Sequence, residues 1–286
     1  MAADIGAFQT KYRNELILGF EDRQSRLRST VVTEADVNGS AAVFLVSTSG
    51  SATATTRGAD GLLVARDDSH NQTTATLAEW HDLVRKSRFN IFASQGNQTL
   101  LMQQTTMAVI NRKIDDDIIA VLDTATNDTG AATAASLELV MHAVTILGDN
   151  VVDIEEEDNM FGLISPGFKG ELMQLPEFSS ADYVSIQPLV GPARQYLRWA
   201  GINWIVHPRL TGSVGSGSTG ASEKCYIYHR NALGHALDKA GMDVAVGYDD
   251  EQDYSYCRAS TFMGSALLQN AGVVQVLHDN SNFIAS

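Results

Sequence analysis

"QTLLMQQTTMAVINRKIDDDIIAVL" fills Gln98 to Leu122 without a proline or a glycine. Continued to Thr126, it predicts one helix of ~43 Å at ~1.5 Å rise per residue. Leu100, Met107, Ile110, Ile114, Ile118 and Val121 step by three, four or seven, and Leu101, Ile119 and Leu122 widen the stripe. One long face is therefore apolar. Gln104 and Asn111 interrupt the regular heptads that a coiled coil needs, so a spine laid across a sheet is expected. Asp115, Asp116 and Asp117 point ~100° apart on such a helix and cannot converge. They read as its polar back, within reach of Arg112 and Lys113.

Outward from the spine, the remaining segments are short and mixed. Phe8, Tyr12, Leu16 and Phe20 recur every four positions, which predicts an amphipathic helix in an N-terminal arm of residues 1–30. That arm carries five basic and four acidic residues, so the acidity of the chain lies elsewhere. Residues 41–77 are dense in Thr, Ser, Val and Ala, with β-type stretches at Val43–Ser47 and Gln72–Leu77 around a glycine-punctuated centre. A long hairpin with so little to bury needs support from another chain. "LAEWHDLVRKSRFNIFASQGN" suggests a short helix around Trp80–Lys86.

After the spine, "AATAASLELVMHAVTILGDN" predicts a helix from about Ala132 to Leu147, stopped by Gly148. "MFGLISP" reads as a buried strand halted by Pro166, "GFKGELMQL" as a short helix, and "QYLRWAGINWIVHP" as paired strands turning at Gly201. Asp153–Asp158 must be solvated, and Thr211–Ser222 reads as a flexible loop. "KCYIYH" and "MDVAVGY" read as strands, "RNALGHALDKAG" as a helix, and the tail from Asp253 as antiparallel strands turning near Asn270–Gly272. The class is α+β.

Composition bounds the function. The chain has 286 residues, 44% of them hydrophobic, with a net charge of −14 and a pI near 4.8. No basic stripe exists for gripping nucleic acid, whereas a surface that must not stick to a neighbouring polyanion suits this charge. No apolar run reaches the ~20 residues of a membrane span. Two cysteines, Cys225 and Cys257, fit a reduced protein better than a disulfide scaffold.

Catalytic and ligand-binding chemistry finds little purchase. Lys224 follows Gly220 by four residues and opens a strand-like run, which is wrong for a phosphate loop. Asp249, Asp250, Glu251 and Asp253 cluster without a calcium-loop pattern. Cys225 and His229 share one face of a strand but lack further zinc ligands, His235 is six residues on, and His207 and His278 stand alone. No Gly-x-Ser-x-Gly elbow occurs. No catalytic, cofactor-binding or metal-binding residue is assigned, and no cofactor is expected.

The order of parts, and the wording of "TLAEWHDLVRKSRFNIFASQGNQ", "INRKIDDDIIAVL", "GLISPGFKGELMQLPEFSSADYV", "RWAGINWIVHPRL", "YHRNALGHA" and "DEQDYSYCRASTFMGSALLQNAGVVQVLHD", resembles the major capsid proteins of tailed bacteriophages, the Hong Kong 97-type fold. The resemblance implies an N-terminal arm (1–30), a peripheral domain (31–44, 76–131 and 249–286) with the spine helix at about 98–126, an extended loop (45–75) and an axial domain (132–248). It implies self-assembly through hexamers and pentamers into an icosahedral head around double-stranded DNA, without sequence-specific DNA binding and without a membrane. Expected partners are further copies, a portal protein, and scaffolding or cement proteins. The expected location is the virion, after assembly in the host cytoplasm. Phe8, Tyr12, Leu16, Phe20, Arg57 and Arg66 are the candidate intersubunit contacts. Some members of the fold weld subunits through a lysine on the extended loop, but none occurs from Val31 to Arg85, so no such weld is expected. The rival readings are the shell of a bacterial nanocompartment and a soluble carboxylate- or histidine-dependent enzyme.

Overall fold

The computed structural model describes residues 24–50, 52–61, 63, 65–94, 97–175, 197–210, 223–239 and 241–279. In chain order the strands and helices are β1 (Val32–Val37), β2 (Ala41–Thr48), β3 (Ser69–Thr76), β4 (Ala78–Ser87), α1 (Arg88–Ala93), α2 (Gln98–Leu122), α3 (Leu137–Asp149), β5 (Met160–Ile164), α4 (Pro166–Leu172), β6 (Leu197–Trp199), β7 (Ile202–Val206), β8 (Glu223–His229), β9 (Leu233–Asp238), β10 (Asp243–Asp249), β11 (Tyr254–Leu267) and β12 (Val273–His278). Two compact units result. One contains Glu79–Lys113 and Ala240–Thr261, the other Arg26–Ala78, Ile114–Lys239 and Phe262–Ser286.

In the larger unit, β12, β8, β5, β7 and β6 form one sheet in that order. Its central strand β5, "MFGLI", is buried throughout, as a strand covered on both faces must be. Gly162 sits against the Trp204 indole, where an added Cβ would lie 2.6 Å from the ring. Helix α3 buries Leu139, Val140, Ala143 and Leu147, and it packs beside β12. A second set of strands pairs β1 parallel to β9, and β9 antiparallel to residues 263–267 of β11. Strands β2 and β3 form a separate two-stranded ribbon, paired from Ala41↔Thr76 to Thr48↔Ser69.

In the smaller unit, β10 pairs antiparallel with residues 254–260 of β11, and β4 also pairs with β11. The first half of α2 buries Met102, Ala108 and Ile110 there, alongside the buried Cys257 and Ala259. The Lys113 ammonium lies 3.8 Å from the centre of the Trp80 ring, a cation–π contact.

The structure corrects several sequence expectations. Trp80–Lys86 belongs to β4 rather than a helix. Its side chains alternate half-buried and exposed, and the helix starts only at Arg88, where Ser87 accepts a capping bond from the Asn90 amide. "RNALGHALDKAG" forms a 3-10 turn and then β9. Leu233 to Leu237 are all buried, so alternation vanishes and the strand imitates a buried helix in sequence. Helix α2 stops at Leu122, not Thr126, because the Gln275 amide donates to the carbonyls of Asp123 (3.0 Å) and Ala125 (2.8 Å). Helix α3 starts at Leu137, not Ala132. Ser136 caps it, and the alanine-rich lead bonds to β12 instead through Thr129 and Thr133. It ends at Asp149, one residue beyond Gly148.

Candidate assembly surfaces and the frame behind them

The acidic triplet of the spine is not its polar back. Asp115 is 2% exposed and collects polar hydrogens from three directions. The amides of Leu27 and Arg26 donate to its two oxygens at 3.2 and 3.1 Å. His207 Nε2 lies 3.3 Å from the same carboxylate, while His207 Nδ1 accepts from the Arg209 amide at 3.3 Å. With Nδ1 accepting, Nε2 carries the proton and donates to Asp115. Asp116 pairs with Arg209 at 2.8 Å, and Asp117 accepts from the Ser265 hydroxyl at 2.7 Å. Each aspartate thus reaches a different partner, as their divergent directions require.

The contacts on Asp115 root the segment that leads out of the N-terminal arm. Leu27 is fully buried, and the Thr30 hydroxyl meets the Leu27 carbonyl and the Tyr228 hydroxyl, each at 2.7 Å. The Arg26 guanidinium donates to the Val206 carbonyl at 2.8 Å. Hydrogen bonds to a charged acceptor contribute about 1.5–3 kcal/mol each, so Asp115 is a strong local tie.

A second buried node joins α4, β8 and β12. His278 Nδ1 lies 2.7 Å from Glu223 and Nε2 lies 2.9 Å from Glu171. Both ring nitrogens face carboxylates, so the ring is an imidazolium. Burial alone would lower its pKa, but the hydrogen bonds and charges of Glu223 and Glu171 together outweigh that and raise it. Glu171 also accepts from the Ala135 amide at 2.7 Å, fixing the lead into α3. His235 shows the opposite balance. Burial, with Arg28 nearby, pushes its pKa down to about 4 against a smaller upward pull from Asp115. It stays neutral and bonds Ser265 at 2.9 Å. The histidines that look isolated or ambiguous in sequence are thus parts of the frame.

Asp153, Glu155, Glu156, Glu157 and Asp158 are all exposed, and Arg198 pairs with Glu157 at 3.5 Å and with Asp158. Cys225 and Cys257 are free and buried, and burial raises both thiol pKa values. Among the described residues, no group of three or more His, Cys, Asp or Glu could hold a metal ion, and no helix is long and apolar enough to cross a membrane.

Exposed apolar side chains include those of the ribbon and of α1. On the ribbon, Ala42 and Ala75 are buried at its base against Ala236, while Val43 and Leu45 are 59% and 62% exposed. The described residues between its strands, 49–68, contain no helix or strand and are exposed wherever burial is defined. Arg57 is exposed there, and Arg66 pairs with Asp68 at 2.6 Å. On α1, Phe89 and Phe92 are 73% and 86% exposed. Burying one such ring stabilises by about 1.5–3 kcal/mol, which a lone subunit forgoes. Sequence reading did not single out this pair, although its i, i+3 spacing in "RFNIF" was available. Phe8, Tyr12, Leu16 and Phe20 lie outside the described residues, as does Thr211–Ser222.

The described residues thus form an irregular α+β subunit with a spine helix and an exposed two-stranded ribbon. The family model described as phage capsid protein matches residues 5–280. The chain belongs to the phage capsid protein family. A chain of Mycobacterium phage Che8 is similar over 96% of this chain and 98% of its own, at 14% identity and a TM-score of 0.73. The capsid of Ralstonia phage GP4 matches over 97% of both chains at 13% identity and 0.70. The Cyanophage Pam1 capsid matches over 98% of both at 11% identity and 0.70. These structures share its fold. No curated protein matches the sequence. As a phage capsid protein, the chain is a structural component of the virion shell and not an enzyme. The nanocompartment and soluble-enzyme readings are not favoured.

Proposed function

We propose that this capsid protein assembles through hexamers and pentamers into an icosahedral head that encloses double-stranded DNA, and that it does so in the host cytoplasm. Family membership carries the reading. The exposed ribbon and α1 rings support it, because both forgo burial that a neighbouring copy would supply. In this reading residues 45–75 are the extended loop, 132–248 the axial domain and 31–44, 76–131 and 249–286 the peripheral domain. The arm of residues 1–30 reaches a neighbour through Phe8, Tyr12, Leu16 and Phe20, and Arg57 and Arg66 contact the adjacent subunit. Weak contacts suffice, because each bond after the first in a closing ring forms at high effective concentration. Symmetry then limits growth to closed forms.

The DNA inside is enclosed rather than bound by sequence, and an acidic inner wall would keep it from sticking. A portal protein and separate scaffolding or cement proteins complete the list of expected partners. The deciding experiment is size-exclusion chromatography of the purified chain with negative-stain microscopy of its largest species. Capsomers, shells or tubes are expected. A protein that stays monomeric under every assembly condition sinks the proposal. Denaturing electrophoresis of mature shells should give monomers, since the extended loop has no lysine from which to form a weld. A ladder that survives boiling and reductant would contradict that.

A further inference from the structure

The link between β1 and the ribbon leaves two residues outside the hydrogen-bond network. Strand β1 pairs with β9 as far as Val37↔Asp238, and β2 begins its pairing with β3 at Ala41↔Thr76. Between them the Ser40 carbonyl accepts from the Leu77 amide at 2.9 Å. Asn38 and Gly39 have no hydrogen-bond partner among the described residues, and both are exposed. Gly39 has a φ of +143°, which side chains resist, and nothing lies within 4 Å of the place a Cβ would take. The fold therefore asks for glycine here and leaves open space around it.

Asparagine is chemically labile, because the amide nitrogen of the next residue can attack its side-chain carbonyl. A next residue without a Cβ clears that approach. Asn38 is the only asparagine of the chain that precedes a glycine. Asp60 and Gly61 form the related aspartyl pair and supply an internal contrast. There the Gly61 amide donates to the Gly58 carbonyl at 2.9 Å, so its nitrogen is held in a turn. The Gly39 nitrogen is held by nothing described.

We propose that Asn38 is a site of spontaneous deamidation through a cyclic imide formed with Gly39. The Gly39 amide gives its proton to solvent base, and its nitrogen bonds to Asn38 Cγ. The Cγ–Nδ2 bond breaks and ammonia leaves. Water then opens the imide at either carbonyl. Opening at Cγ gives aspartate, whereas opening at the Asn38 backbone carbonyl gives isoaspartate, with the chain running through Cβ. In balance, one water is consumed, one ammonia is released and a neutral amide becomes a carboxylate. The new charge falls two residues from Asp36, which faces Lys239 at 3.6 Å. The isoaspartate form also lengthens the backbone between Val37 and Ala42, which are buried together at the base of the ribbon. The reaction thus acts on the ribbon's root, and it does not depend on the capsid reading.

The test ages the folded chain in warm, mildly alkaline buffer and then digests it with trypsin. The peptide Ser29–Arg57 carries Asn38 as its only amide side chain, so the mass gain of replacing an amide by an acid reports this site alone. Isoaspartate is read by methyl transfer from S-adenosylmethionine with protein isoaspartate methyltransferase. In the folded protein this peptide should convert at a rate close to that of the same peptide free in solution, and methyl acceptance should rise with it. Asn38→Ser should lose both signals and keep the circular dichroism of wild type. The peptide Gly58–Arg66, which holds Asp60, should accept few methyl groups. A Ser29–Arg57 peptide that stays unchanged in the folded protein while the free peptide converts would show that the fold shields Asn38, which overturns the proposal. Methyl acceptance undiminished in Asn38→Ser would place the reactive residue elsewhere and overturn it too. The wild-type peptide masses decide the matter even if the serine variant fails to fold.

Discussion

The second half of the spine and the β2–β3 ribbon are both parts of the larger unit, yet they distribute their side chains in opposite ways. From Ile114 to Leu122 the spine buries Ile114, Asp115, Ile118, Ile119 and Leu122, and its acids reach Arg26, Leu27, His207, Arg209 and Ser265. The ribbon buries Ala42 and Ala75 at its base and leaves Val43 and Leu45 in solvent. A structure built this way separates two tasks. The spine ties the larger unit together, and the ribbon leaves apolar surface uncovered.

The most severe way to break that contrast is Asp115→Ala. It leaves two amides and His207 without their acceptor in a buried site, and losses of about 3–5 kcal/mol are expected. Chemical denaturation of the isolated subunit measures this, and a change below about 1 kcal/mol would deny Asp115 its place in the frame. The next effect is a pH dependence. The pKa of His278 is raised above 6.5, so its contribution is complete below 6.5 and is lost as pH rises through the folded value. The melting temperature should fall on the alkaline side, and His278→Gln should remove that slope. A slope that persists in the variant would place the titration elsewhere. His235 works from the other side. Its pKa is lowered from 6.5 to about 4, so its contribution is lost as pH falls between those values.

The smallest effect on stability is expected on the ribbon. Val43→Ser with Leu45→Ser should change subunit stability by no more than about 0.5 kcal/mol, in the range of surface substitutions. Assembly should suffer all the same, as read by the yield of particles in microscopy. If the subunit were destabilised as strongly as by Asp115→Ala, the two regions would not divide the work as described.

The spine and both ribbon strands could be read in advance because their patterns are local. Leu100 to Val121 repeat at helical spacing, and the β-type stretches Val43–Ser47 and Gln72–Leu77 fall almost wholly within the ribbon strands Ala41–Thr48 and Ser69–Thr76. Strand β9 was hidden for the reverse reason. Leu233 to Leu237 are all buried in a strand flanked on its two edges by β1 and β11, and the alternation that marks a half-exposed strand disappears. Asp115 was hidden because its environment is tertiary. Its partners Arg26, Leu27 and His207 lie 88 to 92 positions away, and an aspartate among aspartates looks solvated until they arrive. The rings of α1 were legible as hydrophobic residues, but their exposure, 73% for Phe89 and 86% for Phe92, was not.

Both thiols of the subunit, Cys225 and Cys257, are sealed from solvent at 1% and 0% exposure. A cysteine placed at Asp60 in the ribbon's outer span would therefore be the only sulfhydryl that a maleimide meets on the folded subunit. Dyes, spin labels or displayed peptides could then be attached at one chosen address per copy without first stripping out the natural cysteines.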